Sequence, residues 1–123
     1  MDIKELTRAE EQIMQVLWQL GKGFVKDVLD VLPEPKPAYN TVSTIIRILE
    51  TKGFVDHTAF GKSHEYYPVI SKDEYKNFAA EKLLSGYFDN SVNRILSFFV
   101  KKEKINLKEA DEIMKLIEKL KDK

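Results

Sequence analysis

YNTVSTIIRILETKGFVDHTAFGKSHEYY, residues 39–67, is the stretch whose reading decides the fold. Val42, Ile45, Ile46 and Leu49 recur at i, i+3, i+4 and i+7, the spacing that gathers side chains on one face of a helix. That face is expected to be buried. The opposite face carries Asn40, Ser43, Thr44 and Arg47, short or forked polar side chains suited to base edges and phosphates. Gly53 after Lys52 supplies a helix stop, because glycine enters the left-handed conformation without a Cβ penalty and a cation suits the carbonyl end. Residues 54–60 and 64–69 are rich in β-branched and aromatic side chains, and Gly61-Lys62-Ser63 between them has turn chemistry. Helix, glycine stop and basic-tipped hairpin predict a winged helix.

Upstream, Thr7-x-x-Glu10 reads as a capping box in which hydroxyl and carboxylate satisfy two backbone donors reciprocally. Ala9, Ile13, Val16, Leu17 and Leu20 form the inner stripe of the helix it opens, widened by Met14 and Trp18, and Gly21 and Gly23 end it. Phe24, Val25, Val28, Leu29 and Leu32 repeat at helical spacing in a shorter second helix, which Pro33, Pro35 and Pro37 forbid from continuing. Two helices, a stiff turn and a third helix resemble a helix-turn-helix with a longer turn.

Downstream, Ser71 caps a helix with Asp73 and Glu74 in its first turn. Its stripe of Tyr75, Phe78, Ala79, Leu83 and Tyr87 is expected to be interrupted at Ser85-Gly86. Val92, Ile95, Leu96 and Phe99 mark another helix, ending in the Lys101–Lys104 run. Asn106-x-x-Glu109 opens the last, in which Leu107, Ala110, Ile113, Met114, Leu116, Ile117 and Leu120 cover more than one narrow seam. Three short helices this apolar cannot bury their faces in a small monomeric appendage, so a second copy of the chain is expected to cover them. The dimerisation face is assigned to Tyr75, Phe78, Leu83, Ile95, Phe99, Ile113, Leu116, Ile117 and Leu120. The expected architecture is mainly α with a small β-hairpin wing: a winged helix-turn-helix DNA-binding domain over residues 1–70 and a three-helix dimerisation domain over residues 71–123.

Composition sets the limits on function. Lys plus Arg and Asp plus Glu both total 20, and neither half is strongly charged, with 8 basic and 10 acidic residues in 1–70 and 12 and 10 in 71–123. DNA binding must then rest on local placement, with Arg47, Lys52 and Lys62 on one surface and Glu10, Glu11, Asp27 and Asp30 elsewhere. A protein-binding winged helix without DNA binding is the alternative that neutral charge allows. With no cysteine there is no disulfide framework, thiolate metal site or cysteine nucleophile. The absence of a leader pattern or long apolar run predicts a soluble, cytoplasmic protein. No paired carboxylates, Ser/His/Asp set or glycine-rich phosphate cradle points to an enzyme, a cofactor or a small-molecule substrate.

Several blocks resemble the penicillinase and methicillin-resistance repressors of bacteria. They are Leu6-Thr7-x-x-Glu10-x-x-Ile13-Met14-x-x-Leu17-Trp18, then Val25 to Leu32-Pro33, and Tyr39-x-Thr41-Val42-x-Thr44-x-Ile46-x-x-Leu49-x-x-Lys52-Gly53-Phe54. Tyr66-Tyr67-Pro68 and Phe99-Val100-Lys101-Lys102-Glu103 continue the likeness. The resemblance implies a homodimeric repressor on a double-stranded operator inverted repeat, controlling β-lactam resistance genes. It also implies a partner, a membrane-bound metalloprotease sensor, and inactivation by cleavage in the dimerisation domain at Phe98–Phe99. Such repressors usually carry asparagine where this chain has Phe98, many have arginine at the position of Ile48, and some have a large basic residue at that of Ser43. The cysteine-rich site of the copper-responsive branch has no counterpart here.

With that resemblance, Arg47 is expected to fork onto guanine or a phosphate, and the Thr41 and Thr44 hydroxyls to bond phosphate oxygens. Tyr39 and Asn40 lie at a helix start, where backbone amides favour phosphate. Ser43 shares their face, Lys62 either reaches the DNA backbone or is a solvated turn lysine, and His64 is a strand-face or phosphate-contacting histidine. His57 and His64, without carboxylate or thiolate companions, make a poor metal site, and none is expected.

Overall fold

A computed structural model of the chain describes residues 3–121, with the side chains of Ile117, Lys119, Leu120 and Lys121 outside the described set. The order is α1 (Arg8–Leu20), α2 (Val25–Val31), α3 (Tyr39–Thr51), β1 (Val55–Phe60), β2 (Ser63–Pro68), α4 (Lys72–Tyr87), α5 (Val92–Lys101) and α6 (Leu107–Lys121). Mostly helical with one two-stranded hairpin, this is the winged helix-turn-helix expected, followed by further helices. Two compact units, Met1–Ala79 and Ala80–Lys123, divide the chain within α4.

Local signals place most helix ends. The Thr7 box caps α1, its Oγ1 accepting from Glu10 N at 3.2 Å while Glu10 Oε1 accepts from Thr7 N at 2.8 Å. Helix α2 has no glycine at its end; Lys36 Nζ donates instead to the carbonyls of Leu29, Asp30 and Leu32 at 3.0, 3.0 and 2.6 Å. Helix α3 closes in a Schellman turn: Gly53, at φ 85°, donates to Glu50 O, and Phe54 N donates to Leu49 O at 2.9 Å. The hairpin pairs Val55 with Pro68 through to Phe60 with Ser63. Its two-residue turn puts Gly61 at φ 63°, the sign required at the first central position of such a turn. Gly23 adds a third rung, exchanging bonds of 2.9 and 2.8 Å with Tyr66.

The first unit's core gathers Met14, Leu17, Val28, Val42, Ile46, Leu49 and Phe54, all fully buried. Helix α1 turns inward Ile13, Met14, Val16 and Leu17 as expected, with Trp18 half-buried, and departs from the expected stripe only at its ends. Ala9 and Leu20 are exposed, and Glu10 is buried with Ile13, Met14, Val16 and Leu17. The cause is Lys52, whose Nζ reaches Glu10 Oε1 at 2.7 Å across 42 residues and draws the carboxylate in. Lys52 is therefore not on a DNA-facing surface, and Glu10 does not point to solvent. Likewise Tyr75, expected on the dimerisation face, belongs to this core. It is buried, its hydroxyl accepts from Leu6 N at 3.0 Å, and its ring meets Trp18, Phe54 and Phe78 at 5.6–6.0 Å between centroids. Phe78 packs half-buried on the same cluster. The first turns of α4 thus complete the winged-helix core, and the compact unit ends past residue 70.

In the second unit, α4 runs unbroken through Ser85 and Gly86, contrary to expectation. Glycine in a helix costs about 1 kcal/mol but keeps its N–H, so it weakens rather than forbids the turn. Ser91 Oγ caps α5 by accepting from Arg94 N at 3.2 Å, and Asn106 Oδ1 caps α6 through Glu109 N at 2.8 Å. Leu96 is buried here, while Leu83, Tyr87, Phe98, Leu107, Ile113 and Leu116 are exposed. Among the described residues no helix is long and apolar enough to cross a membrane.

The Glu10–Lys52 pair carries a pH signature. Burial pushes the Glu10 carboxyl up, but hydrogen bonds from Lys52 and Thr7 outweigh it and hold the group below its ordinary 4.5. A carboxyl lowered in the folded state contributes stability that is present above its unfolded value and lost as pH falls through the folded one. Lys52→Met is expected to cost about 1–3 kcal/mol at pH 7 by leaving the buried Glu10 carboxylate without its counter-charge, with only the Thr7 N–H still donating to it. The deficit should shrink below pH 4.5, as urea melts at pH 7 and in acid will show. A deficit unchanged in acid would mean that Lys52 acts through its aliphatic stem instead.

Candidate nucleic-acid interface

The exposed side of α3, the start of α2 and the wing border one open cleft of about 960 Å³. From α3, Asn40, Ser43 and Arg47 line it at i, i+3 and i+7, so they form one stripe along the helix. Arg47 Nη2 donates to Ser43 Oγ at 3.2 Å, which holds the guanidinium along that stripe. Tyr39 stands at the helix start, about half exposed, and Lys62, Ser63 and His64 enter from the wing. The structure therefore brings Tyr39, Asn40, Ser43, Arg47, Lys62 and His64 to one concavity. Thr41 and Thr44 are exposed but do not line it; they share the neighbouring flank of α3 with exposed Ile48.

Charge is arranged locally in a way that the neutral total conceals. The acids bordering the cleft are already engaged: Asp27 Oδ2 accepts from Phe24 N at 2.9 Å, and Glu50 Oε2 lies 2.5 Å from His57 Nδ1. Lys26, Arg47 and Lys62 supply the cations. Lys26 escaped the sequence reading because it sits on the polar side of a short helix, where only the turn of α2 toward the wing gives it a role. Tyr66 escaped it too. Buried beneath the cleft, its hydroxyl is pushed above the ordinary 10 by burial and the Glu50 carboxylate, with Arg47 opposing.

The two histidines also need correction. Their rings stack at 4.0 Å between centroids, 10° from parallel. His57 is not without carboxylate companions, since the α3 carboxylate of Glu50 and the neighbouring Asp56 lie beside it. The fold supplies what the spacing of two lone histidines did not suggest.

Of the residues assigned to dimerisation, Tyr75 and Phe78 belong to the first core, as described above. Leu83, Ile113 and Leu116 are exposed on the second unit, and Ile95 and Phe99 are half-buried there. The side chains of Ile117 and Leu120 lie outside the described residues. Phe98 and Phe99 sit inside α5, their rings 5.4 Å apart.

The sequence profile of the penicillinase repressors matches residues 6–119. The chain belongs to the penicillinase repressor family. Methicillin resistance regulatory protein MecI of Staphylococcus aureus is 22% identical over 116 residues, covering 94% of each chain. The penicillinase repressor of Bacillus licheniformis is 21% identical over 122 residues, covering 98% of this chain and 95% of its own. The solution structure of the DNA-binding domain of the repressor BlaI superposes with a TM-score of 0.53 at 25% identity, over 60% of this chain and 92% of that one. The family is one of transcriptional repressors, not enzymes, and the winged helix built here is its DNA-binding fold.

The electrostatics of the cleft can be read from Tyr66. Ultraviolet titration of the folded chain should show a tyrosine ionising above pH 10, and Tyr66→Phe should remove that late step. If the variant kept it, the buried, acid-facing environment assigned to Tyr66 would be wrong.

Proposed function

We propose that the chain is a homodimeric bacterial repressor that binds an operator inverted repeat through α3 and the wing. The observation that carries this reading is the single cleft in which Asn40, Ser43 and Arg47 of α3 face Lys62 and His64 of the wing, with the bordering acids engaged internally. Helix α3 lies in the major groove, where Arg47 forks onto guanine or a phosphate. Tyr39 and Asn40 meet phosphate at the helix start, Ser43 lies alongside Arg47, and Thr41 and Thr44 bond phosphate oxygens from the flank. Lys62 and His64 follow the sugar-phosphate backbone beyond it.

The apolar side chains left exposed on the second unit, Leu83, Ile113 and Leu116, support a second copy of the chain as the other half of the dimer, with Ile95 and Phe99 beside them. Ile117 and Leu120 continue that face in sequence. Control of β-lactam resistance genes, and inactivation by a membrane-bound metalloprotease sensor cutting between Phe98 and Phe99, are part of the same proposal and rest on the resemblance to the penicillinase repressors. That bond lies within α5, so cleavage requires local unwinding of the helix. Repressor loss in β-lactam-treated cells without fragments ending at Phe98 would remove this step.

Selection of bound duplexes from a random pool should recover an inverted repeat whose half-sites lie about one helical turn, or a multiple, apart. Affinity should fall steeply with salt, because each neutralised phosphate releases counterions. Arg47→Ala should weaken the selected site by roughly 1–3 kcal/mol if the contact is bidentate to a base. A chain that enriches no sequence and shows no salt-dependent duplex binding would instead be a protein-binding winged helix. Sedimentation at micromolar concentration tests the dimer, and a monomer there would contradict the reading of the second unit.

A further inference from the structure

We propose that Glu50, Asp56 and His57 form a binding site for a divalent transition cation at the foot of the wing. Glu50 comes from the last turns of α3, and Asp56 and His57 from β1, so the site joins the proposed recognition helix to the hairpin. One ligating atom from each lies within 4.8 Å of the other two. Glu50 Oε2 is 2.5 Å and Asp56 Oδ1 3.9 Å from His57 Nδ1.

A zinc-like ion holds imidazole nitrogen and carboxylate oxygen about 2.0–2.2 Å away, which sets tetrahedral ligand atoms roughly 3.4 Å apart. The short pair must open by about an ångström and the longer one close by about half of one, adjustments within reach of side-chain rotation. The Glu50 and His57 side chains are 30% and 28% exposed and Asp56 61%, so an ion can enter without unfolding the hairpin and water can complete its shell. One imidazole with two carboxylates suits Zn²⁺, Co²⁺ or Mn²⁺ better than Mg²⁺ or Ca²⁺, which take oxygen ligands. His64 is stacked parallel on His57, so an ion in the plane of the His57 ring lies off the plane of the His64 ring; His64 flanks the site and is not a ligand. His64 is the other histidine of the chain, which has no cysteine, and among the described residues Glu50, Asp56 and His57 are the group of three whose ligating atoms converge.

An ion here tethers α3 to β1 and takes Glu50 out of the field felt by Tyr66 and the cleft. Any effect on DNA affinity rests on the function proposed above, but ion binding does not, and it is measured on the protein alone.

The test is a titration of the chelator-stripped full chain with Co²⁺, followed by Zn²⁺ competition. One Co²⁺ per chain is expected, with the visible band of a four- or five-coordinate site and displacement by Zn²⁺. Glu50→Gln and His57→Gln should each weaken binding at least tenfold, and His64→Gln less than threefold. In the unmodified chain Zn²⁺ should shift the His57 Nδ1 ¹⁵N resonance far more than either nitrogen of His64, a readout that survives if a variant fails to fold. No Co²⁺ binding at millimolar concentration, or tight binding untouched by His57→Gln, would overturn the proposal, as would a shift confined to His64.

Discussion

Burial of Phe54 immediately after the glycine stop is the constraint on which the first unit depends. The Schellman turn at Gly53 reverses the chain off α3 and delivers Phe54, fully buried, against Tyr75 at 5.6 Å. Its backbone carbonyl accepts from Val69 N at 2.8 Å and Ile70 N at 3.3 Å, where the chain leaves the hairpin. One residue thus links the end of α3, the start of β1, the exit of β2 and the first turns of α4. The wing is set relative to α3 by this knot and by the Gly23–Tyr66 rung, so the spacing between the α3 stripe and Lys62 is a property of the core. A phenylalanine truncated here would lose about 3–5 kcal/mol of packing and, with it, the geometry of the cleft.

The chain is neutral overall, yet it gathers cations at the cleft. Charges on the first unit are sorted by engagement, not by number. Glu10 is turned inward by Lys52, Asp27 is used on a helix start, and Glu50 is occupied by His57. Arg47, Lys26 and Lys62 remain at the rim of the cleft. Such an arrangement suits a site-specific binder better than a nonspecific one, because a low total charge limits the counterion-release term that all sequences share. In the function proposed above, base contacts by the α3 stripe carry more of the affinity.

Helix α4 serves two masters. Its first turns are core of the winged helix, through Tyr75 and Phe78, whereas Leu83 and Tyr87 further along stay exposed. The helix is continuous from Lys72 to Tyr87, through Ser85 and Gly86, and the boundary between the two units falls within it. The sequence pattern placed Tyr75 with the later residues because all share one periodic stripe; which neighbour covers each turn of that stripe is not a periodic property.

What the sequence by itself determined is whatever forms within a few residues. The Thr7 box, the Gly53 stop, the Gly61 turn, the Asn106 cap and the alternation that buries Val42, Ile46 and Leu49 follow from short-range backbone satisfaction and helical period, and the family blocks ride on the same local frames. The wing and the α3 stripe were legible for that reason. Only the tertiary structure decided which polar groups meet across long separations. Lys52 finds Glu10 over 42 residues, Leu6 N finds the Tyr75 hydroxyl over 69, and Glu50 and Asp56 converge on His57 once the hairpin folds back on α3. Each pairing depends on where the chain reverses in three dimensions. Burial makes such pairings consequential, because a buried polar group must find a partner and the chain supplies it from wherever the fold brings one near.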